Sequence, residues 1–189
     1  MGSIHDRFEL FKVQMGDIVS EETEKKLLLG GFFKAPASAK HHHNYPGGLF
    51  DHSSLTTVIL TDLTSCNGLK WQRPESPRIV GMFHDLCKMD EYILHEEYDE
   101  YDMGKIIQSY TYNTDTELKG HGEKSVMLLS QYMTLTEEEI FCIRYHMGAF
   151  TDKSEWNDYT GAVSKYPNVL WTHHADMLAT HQHEYTEKE

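Results

Sequence analysis

A histidine and an aspartate stand side by side in the mostly apolar stretch 80–88, which reads Val-Gly-Met-Phe-His-Asp-Leu-Cys-Lys. The apolar neighbours indicate that His84 and Asp85 are buried. Burying an imidazole and a carboxylate without a partner costs several kcal/mol, so the pair needs a compensating charge. A metal ion is the simplest candidate, because a bound cation is often the largest local charge in a site. We therefore expect the fold to bring further ligands to this pair.

Further candidate ligands are spread along the chain, each in or beside a stretch with helical periodicity. His52 lies in the first turn of a helix that we predict to start after Asp51, as N-cap, and to end near Cys66. The other candidates are His121 at a helix start, His146 at a helix end and Asp176 inside the last helix. Helical bundles build metal sites in this way, from side chains that converge on a common centre.

Helical periodicity covers most of the 189 residues and predicts one all-α domain over residues 1–189. In the last helix, the periodicity places five apolar residues on one face: Leu170, Trp171, Ala175, Leu178 and Ala179. Tyrosines are interspersed with acidic residues in segment 91–115, which favours a small β-ribbon or an irregular insertion. Residues 30–48, rich in Gly, Pro, Ala and Ser, predict an ordered loop. Helices are predicted over residues 4–15, 21–29, 51–66, 77–88, 122–132, 136–148, 154–165 and 167–181.

The composition restricts the classes of partner. With 30 acidic and 17 basic residues, the formal charge of -13 disfavours long nucleic acid, but it allows a small anion held through metal. Three cysteines, Cys66, Cys87 and Cys142, lie far apart without a CxxC motif, so we expect core residues in a reducing compartment rather than disulfides. No apolar run approaches the ~20 residues of a membrane span. These features predict a soluble, cytoplasmic protein without a membrane partner.

The order His, His-Asp, His, His, Asp resembles that of the HD-domain metal-dependent phosphohydrolase superfamily over roughly residues 32–180. Residues 45–53 resemble the loop and first-ligand helix of bacterial HD proteins related to exonucleases. Residues 84–88 match the motif His-Asp-x-Gly-Lys except that Cys87 replaces the glycine. Residues 121–125 and 144–148 resemble the third and fourth motifs of the superfamily.

The resemblance implies an HD-domain helical bundle with a metal site. Lys88 stands where one-metal nucleotidases of the superfamily often carry a glutamate, which favours two ions, although Met147 stands where many two-metal members have a second histidine. The ions would be divalent transition metals, and the ligand types suit Fe, Mn, Co, Ni or Zn. By resemblance, one ion is bound by His52, His84, Asp85 and Asp176, and Asp85 bridges to a second ion on His121 and His146.

The activity implied is hydrolysis of a phosphate ester, in a nucleotide or a similar small substrate. Two cations lower the pKa of a shared water, so that hydroxide is available near neutral pH, and they polarise a phosphoryl oxygen. Asp85, Lys88 and Arg144 are the candidate catalytic residues, because cationic side chains neutralise an oxyanion. The candidate substrate-binding residues are His42, His43, Lys88 and Arg144.

Three alternative functions remain open at this point. A phosphodiesterase or 3′ exonuclease on short single strands would need a basic, aromatic channel. A mixed-valent di-iron oxygenase resembling inositol oxygenase would use the same six ligands and a lysine after the His-Asp pair. A binding or sensing module would carry a structural or degenerate site. Segment 91–115 is either a substrate lid or a surface hairpin, and His173 either orients Asp176 or lies at the surface.

Overall fold

A computed structural model of the chain describes residues 2–41, 43–98 and 104–186, with side chains up to His181. Within these ranges the chain is mainly helical and carries one two-stranded antiparallel ribbon, which confirms the predicted class. Short 3₁₀ segments cover Gly16–Ile18, Leu86–Met89, Gly148–Phe150 and Lys153–Glu155. The regular elements are α1 (Ile4–Met15), α2 (Glu21–Gly30), α3 (Gly48–Asn67), α4 (Ser76–Phe83), β1 (Tyr92–Tyr98), β2 (Ile106–Tyr112), α5 (Gly122–Ser130), α6 (Glu137–Arg144), α7 (Trp156–Lys165) and α8 (Asn168–Thr186).

Helix α3 lies at the centre of the fold and packs against α4 and α8. A cluster of buried phenylalanines on one side ties α1 and the α2–α3 connection to α3 and α4. Their ring centroids lie 5.3 to 6.4 Å apart, mostly edge to face. Burying such a side chain contributes about 1.5–3 kcal/mol, so this cluster fixes α3 against α4. Its members are Phe11, Phe32, Phe33, Phe50 and Phe83.

Helices α3 and α4 approach so closely that only glycine fits at their crossing. A Cβ atom on Gly81 would lie 2.6 Å from the Cα of Thr57. Gly81 precedes His84 by about one helical turn, and Thr57 follows His52 by little more than one turn. The close crossing therefore brings His84 next to His52.

Two predicted helices are shorter than expected because histidine rings bind their last carbonyls. The helix predicted over residues 77–88 ends at Phe83, where the ring of His84 contacts the Gly81 carbonyl. The helix predicted to reach residue 148 ends at Arg144, and the ring of His146 contacts the Ile143 carbonyl. In both cases the chain turns at the point where it presents a ligand residue.

Three further expectations need correction. Asp51 does not cap α3, which begins at Gly48; its carboxylate accepts hydrogen bonds of 2.8 and 2.7 Å from Arg7. The apolar face predicted for α8 packs only in part: Ala175 and Ala179 are buried, whereas Leu170 and Leu178 are 39% and 43% exposed. Among the cysteines, Cys87 and Cys142 are buried but Cys66 is exposed.

The predicted β-ribbon is present. Its strands pair antiparallel, with Tyr92 opposite Tyr112 at one end and Tyr98 opposite Ile106 at the other. The Asn113 amide donates to the Glu91 carbonyl at 2.8 Å and closes the base of the ribbon beside the Leu86–Met89 turn. In the part of the chain described, no helix has the length and apolarity needed to cross a bilayer.

Candidate metal centre

All six predicted ligand residues come together in the interior of the bundle. His52, His84, Asp85 and His146 are buried, and His121 and Asp176 are partly buried. They reach the centre from five places in the chain: α3, the end of α4, the residue before α5, the turn after α6 and α8. Residues far apart in sequence therefore form one cluster of imidazoles and carboxylates.

One half of the cluster gathers around His52 and His84, whose Nε2 atoms lie 3.2 Å apart. The Asp176 Oδ1 atom lies 3.0 Å from His52 Nε2 and 3.7 Å from His84 Nε2. The Asp85 Oδ2 atom lies 3.6 and 3.4 Å from the same two nitrogens. Two carboxylate oxygens and two ring nitrogens thus face a common point.

The other half of the cluster uses the second oxygen of Asp85. Its Oδ1 atom lies 3.0 Å from His121 Nε2 and 3.4 Å from His146 Nε2. Asp85 therefore stands between two pairs of histidines and presents one oxygen to each pair. These two groups contain the same residues as the two metal sites implied by the resemblance.

Hydrogen bonds at the far side of the rings fix their orientation. The Nδ1 atom of His84 lies 2.9 Å from the Gly81 carbonyl oxygen, and that of His146 lies 2.8 Å from the Ile143 carbonyl oxygen. A carbonyl can only accept, so Nδ1 carries a hydrogen in both rings and donates it, and Nε2 is the ring atom that faces the centre. Metal-binding histidines are commonly oriented by this kind of partner.

The charges of the cluster depend on one another. Burial opposes a charge on His84, but the Asp85 and Asp176 carboxylates outweigh burial and raise the pKa of His84 to about 10. Burial also opposes a charge on Asp85, but Lys88 and the nearby imidazoles hold the pKa of Asp85 well below its usual range. For His146, burial dominates and lowers the pKa. Asp85 is therefore the central anion of the cluster.

Two buried atoms of the cluster lack a hydrogen bond of acceptable geometry to any described residue: Asp85 Oδ1 and His146 Nε2. Leaving a buried polar atom unsatisfied costs about 1–3 kcal/mol. A divalent cation would accept lone pairs from both atoms and remove this cost. Nitrogen and oxygen donors of this kind are normal ligands of transition metals, so the residues present fit a metal.

A cavity of about 650 Å³ opens onto the cluster. Asp85, His121 and Asp176 form part of its lining, together with Lys88. The Lys88 Nζ atom donates to Asp85 Oδ2 at 2.7 Å. Lys88 therefore places a cation at the cavity wall next to the candidate ligands.

Arg144, the second predicted catalytic cation, also lines the cavity but is held by acidic neighbours. It forms ion pairs with Glu123 and, at 3.2 Å, with Glu155. Both glutamates line the same cavity. The positive charge of Arg144 is thus shared between two carboxylates.

Of the two loop histidines predicted to bind substrate, only His43 belongs to the described residues. His43 is buried next to the cluster, with its ring centroid 5.6 Å from that of His52 and its backbone at φ 51. His42 lies outside the described residues. His173 does not bind Asp176; its Nδ1 lies 2.9 Å from the His146 carbonyl oxygen, so it supports the turn that carries His146.

Sequence reasoning did not anticipate the residues that let the elements meet. A Cβ atom on Gly122 would lie 2.2 Å from the Arg144 carbonyl oxygen, so this glycine lets α5 start against the end of α6.

The Cys87 Sγ atom lies 3.2 Å from His121 Nδ1, although we expected only a core residue there. The one available signal was the departure of Cys87 from the His-Asp-x-Gly-Lys motif.

Comparisons of the chain with protein-family models, with curated proteins and with solved structures gave no significant match. The functional assignment therefore depends on the residues and the geometry described above.

Proposed function

We propose that this chain is an HD-domain phosphohydrolase that holds two divalent metal ions and cleaves a phosphate ester of a nucleotide or a similar small molecule. The observation that carries the proposal is the position of Asp85. Its two carboxylate oxygens face two different pairs of histidines, at 3.4 and 3.6 Å on one side and at 3.0 and 3.4 Å on the other. A carboxylate in this position is suited to bridge two cations.

The residues divide naturally between two ions. His52, His84, Asp176 and Asp85 Oδ2 would hold the first, and His121, His146 and Asp85 Oδ1 the second. When bound, such a pair of ions supplies an acidified water and neutralises charge on a phosphoryl oxygen. The carbonyls of Gly81 and Ile143 keep two of the rings pointed at the centre, which limits the reorganisation needed during reaction.

Lys88 is the side chain best placed to bind a substrate oxyanion. Burial opposes its charge, but the Asp85 carboxylate outweighs burial and raises the pKa of Lys88, so the ammonium is charged at neutral pH. It reaches the cavity next to the ligand cluster, where a non-bridging phosphoryl oxygen would lie. Lys88 contacts the candidate ligand Asp85, whereas Arg144 pairs with Glu123 and Glu155 away from the ligands, so we assign Arg144 a smaller part.

Metal analysis followed by a phosphate-release panel tests this function. We expect the purified protein, loaded with each candidate metal in turn, to bind about two ions per chain. It should release phosphate from nucleoside monophosphates or small phosphate esters. Asp85→Asn should lose both metal retention and phosphate release, whereas the exposed control Asp158→Asn should keep both.

Two results would overturn the proposal: full metal content in Asp85→Asn, or a metal-loaded protein that releases no phosphate from any member of the panel. Labelled oligonucleotides belong in the same panel. Their cleavage without release of phosphate from mononucleotides would favour a phosphodiesterase or exonuclease.

An oxygenase is a second candidate, favoured by the acidity of the cavity wall. Besides the ligands, the wall carries Glu91, Glu123, Asp152 and Glu155, which suit an uncharged substrate better than a polyanion. Oxygen consumption by the iron-loaded protein with an uncharged polyol, without phosphate release, would select this function.

A further inference from the structure

The cavity lining includes a pair of tyrosines from the base of the ribbon. Tyr92 begins β1, Tyr112 ends β2, and both side chains line the cavity. They are directly opposite in the strand register, so they project from the same face of the ribbon. Their ring centroids lie 5.4 Å apart with a tilt of 48°. The two rings together form an aromatic surface in the cavity lining.

The aromatic surface is incompletely covered by the rest of the chain. Tyr92 is half-buried, whereas Tyr112 is 66% exposed although it lines the cavity. Phe150, another cavity residue, is 67% exposed. Aromatic side chains at a binding site offer a large contact area with little conformational entropy to lose. The cavity lining thus includes exposed aromatic side chains as well as the candidate metal ligands.

The cavity therefore combines two kinds of chemistry. Its lining contains candidate metal ligands and Lys88, and it also contains the aromatic side chains of Tyr92, Tyr112 and Phe150. A volume of about 650 Å³ lies within the range of about 300–1,000 Å³ that is typical of small-molecule pockets. A substrate with a phosphate at one end and a flat ring at the other would match both kinds at once.

We infer that Tyr92 and Tyr112 bind a nucleobase, so that the substrates are phosphate esters of nucleosides rather than of simple sugars. This inference rests on the proposed function, because it takes the metal centre as the place of the phosphate. Stacking on an aromatic side chain contributes about 1–3 kcal/mol per base, which corresponds to about 5- to 150-fold in affinity.

Two substrates that differ only in the base test the inference: a purine nucleoside 5′-monophosphate and ribose 5-phosphate. We expect Tyr112→Ala to lower kcat/KM for the nucleotide by about 10-fold or more while leaving ribose 5-phosphate unchanged. Tyr112→Phe should retain the preference, since it keeps the ring. Tyr98→Ala, at the far end of the ribbon and 80% exposed, is the matched control and should change neither substrate.

Different results would contradict base binding by Tyr112 and the proposed hydrolytic function. Equal losses for both substrates in Tyr112→Ala, or no loss for the nucleotide, would overturn the inference while leaving phosphate release intact. If the wild-type protein hydrolyses neither substrate, calorimetric titration with the same two compounds still decides. A wild-type preference for the nucleotide that Tyr112→Ala abolishes supports base binding, and equal affinities contradict it.

A second, independent observation concerns the orientation of His121. Backbone carbonyls contact the Nδ1 atoms of His84 and His146, but the contact of His121 Nδ1 is the side chain of Cys87, at 3.2 Å. Cys87 is fully buried, and its backbone amide donates to Ser125 Oγ on α5 at 3.0 Å. The sulfur is therefore held in a fixed position behind the imidazole.

We propose that Cys87 is a positioning residue for His121 in the second half of the metal centre. With a metal ion bound through the Nε2 lone pair, Nδ1 would carry the ring hydrogen and donate it to the cysteine sulfur. The residue thus replaces the carbonyl that orients the other two rings. This proposal rests on the two-metal function, and partners of this kind typically change metal affinity by about 10- to 100-fold.

Metal titration of Cys87→Ala, Cys87→Ser and Cys142→Ala tests this role. Cys87→Ala should weaken one of the two binding events by about 10-fold or more, Cys87→Ser should restore part of the affinity, and the other event should be unchanged. Cys142 is also buried, on α6, and controls for a general packing defect. Wild-type affinity at both sites in Cys87→Ala, or equal weakening at both, would overturn the proposal.

NMR of the metal-free protein tests the positioning role of Cys87 independently of metal binding. The ring ¹⁵N resonances of His121 should shift in Cys87→Ala and remain in place in Cys142→Ala. Unchanged resonances in Cys87→Ala would overturn the positioning role whether or not the protein binds metal.

Discussion

Two buried clusters of charged side chains lie in the same helical bundle, and they differ in how completely their atoms are paired. The first is the candidate metal centre around Asp85. The second lies at the start of α6 and contains the carboxylates of Glu138 and Glu139, both buried. Comparing them distinguishes a charge that stabilises the fold from a charge that is open to a ligand.

At the start of α6, each carboxylate oxygen receives a hydrogen bond. Arg73 donates to both oxygens of Glu139 at 2.7 Å, and Ser76 and the Thr136 amide add one hydrogen bond each at 2.8 Å. Glu138 accepts hydrogen bonds from the Asn168 side chain at 2.8 Å and from the backbone N–H of Gln72 at 2.7 Å. Such a network has no capacity left for a cation and connects α4, α6 and α8.

In the candidate metal centre, by contrast, some buried polar atoms lack a good hydrogen-bond partner. Asp85 Oδ1 and His146 Nε2 are buried and lack a hydrogen bond of good geometry to the described residues. The Nδ1–H groups of His84 and His146 donate to carbonyls on the side away from the centre. Lys88 donates to Asp85 Oδ2, but the other oxygen of this buried carboxylate is left without a good donor, which is costly for folding alone and favourable for binding a metal.

The largest expected effect is the loss of stability on metal removal. An excess of chelator should lower the free energy of unfolding of the loaded protein by about 3–5 kcal/mol, since each ion contributes about 2.7 kcal/mol at 100-fold excess over its Kd. Asp85→Asn should show no such difference in denaturant titrations. A chelator effect of equal size in Asp85→Asn would remove the distinction between the two clusters.

A smaller effect is expected from the α6 cluster. Glu139→Gln removes the charge that pairs with Arg73, so we expect the free energy of unfolding to fall by about 2–3 kcal/mol. Metal content should stay at the wild-type level, as measured by elemental analysis of the folded protein. Loss of metal in this variant would mean that the two clusters are coupled and that the comparison fails.

The smallest effect should come from Arg144, which is paired but lies at the cavity wall. Its partners Glu123 and Glu155 are partly exposed, and pairs of this kind contribute at most about 1 kcal/mol. We expect Arg144→Gln to change stability by no more than that and to lower phosphate release less than Lys88→Met does. Activity assays on both variants check the order, and the reverse order would return Arg144 to the role first predicted for it.

The residue types and their order were sufficient to predict which side chains meet, because His52, His84, Asp85, His121, His146 and Asp176 are chemically unusual in or beside helical patterns. Periodicity also predicted the helices and the ribbon. Periodicity could not predict contacts of side chains with the backbone, or contacts between distant parts of the chain. The early end of α4 depends on the ring of His84 binding the Gly81 carbonyl. The pairing of Arg144 with Glu123 and the place of Cys87 behind His121 depend on how α5 and α6 pack.

The most direct test of the central claim is anomalous diffraction from crystals grown with an excess of Mn²⁺. We predict two anomalous peaks about 3.5–4 Å apart, the usual spacing of two-metal sites. The Asp85 carboxylate should lie between them, with His52, His84 and Asp176 at one peak and His121 and His146 at the other. A single peak that Asp85 does not contact, or no peak from a protein that retains metal in solution, would contradict the paired metal centre proposed for this fold.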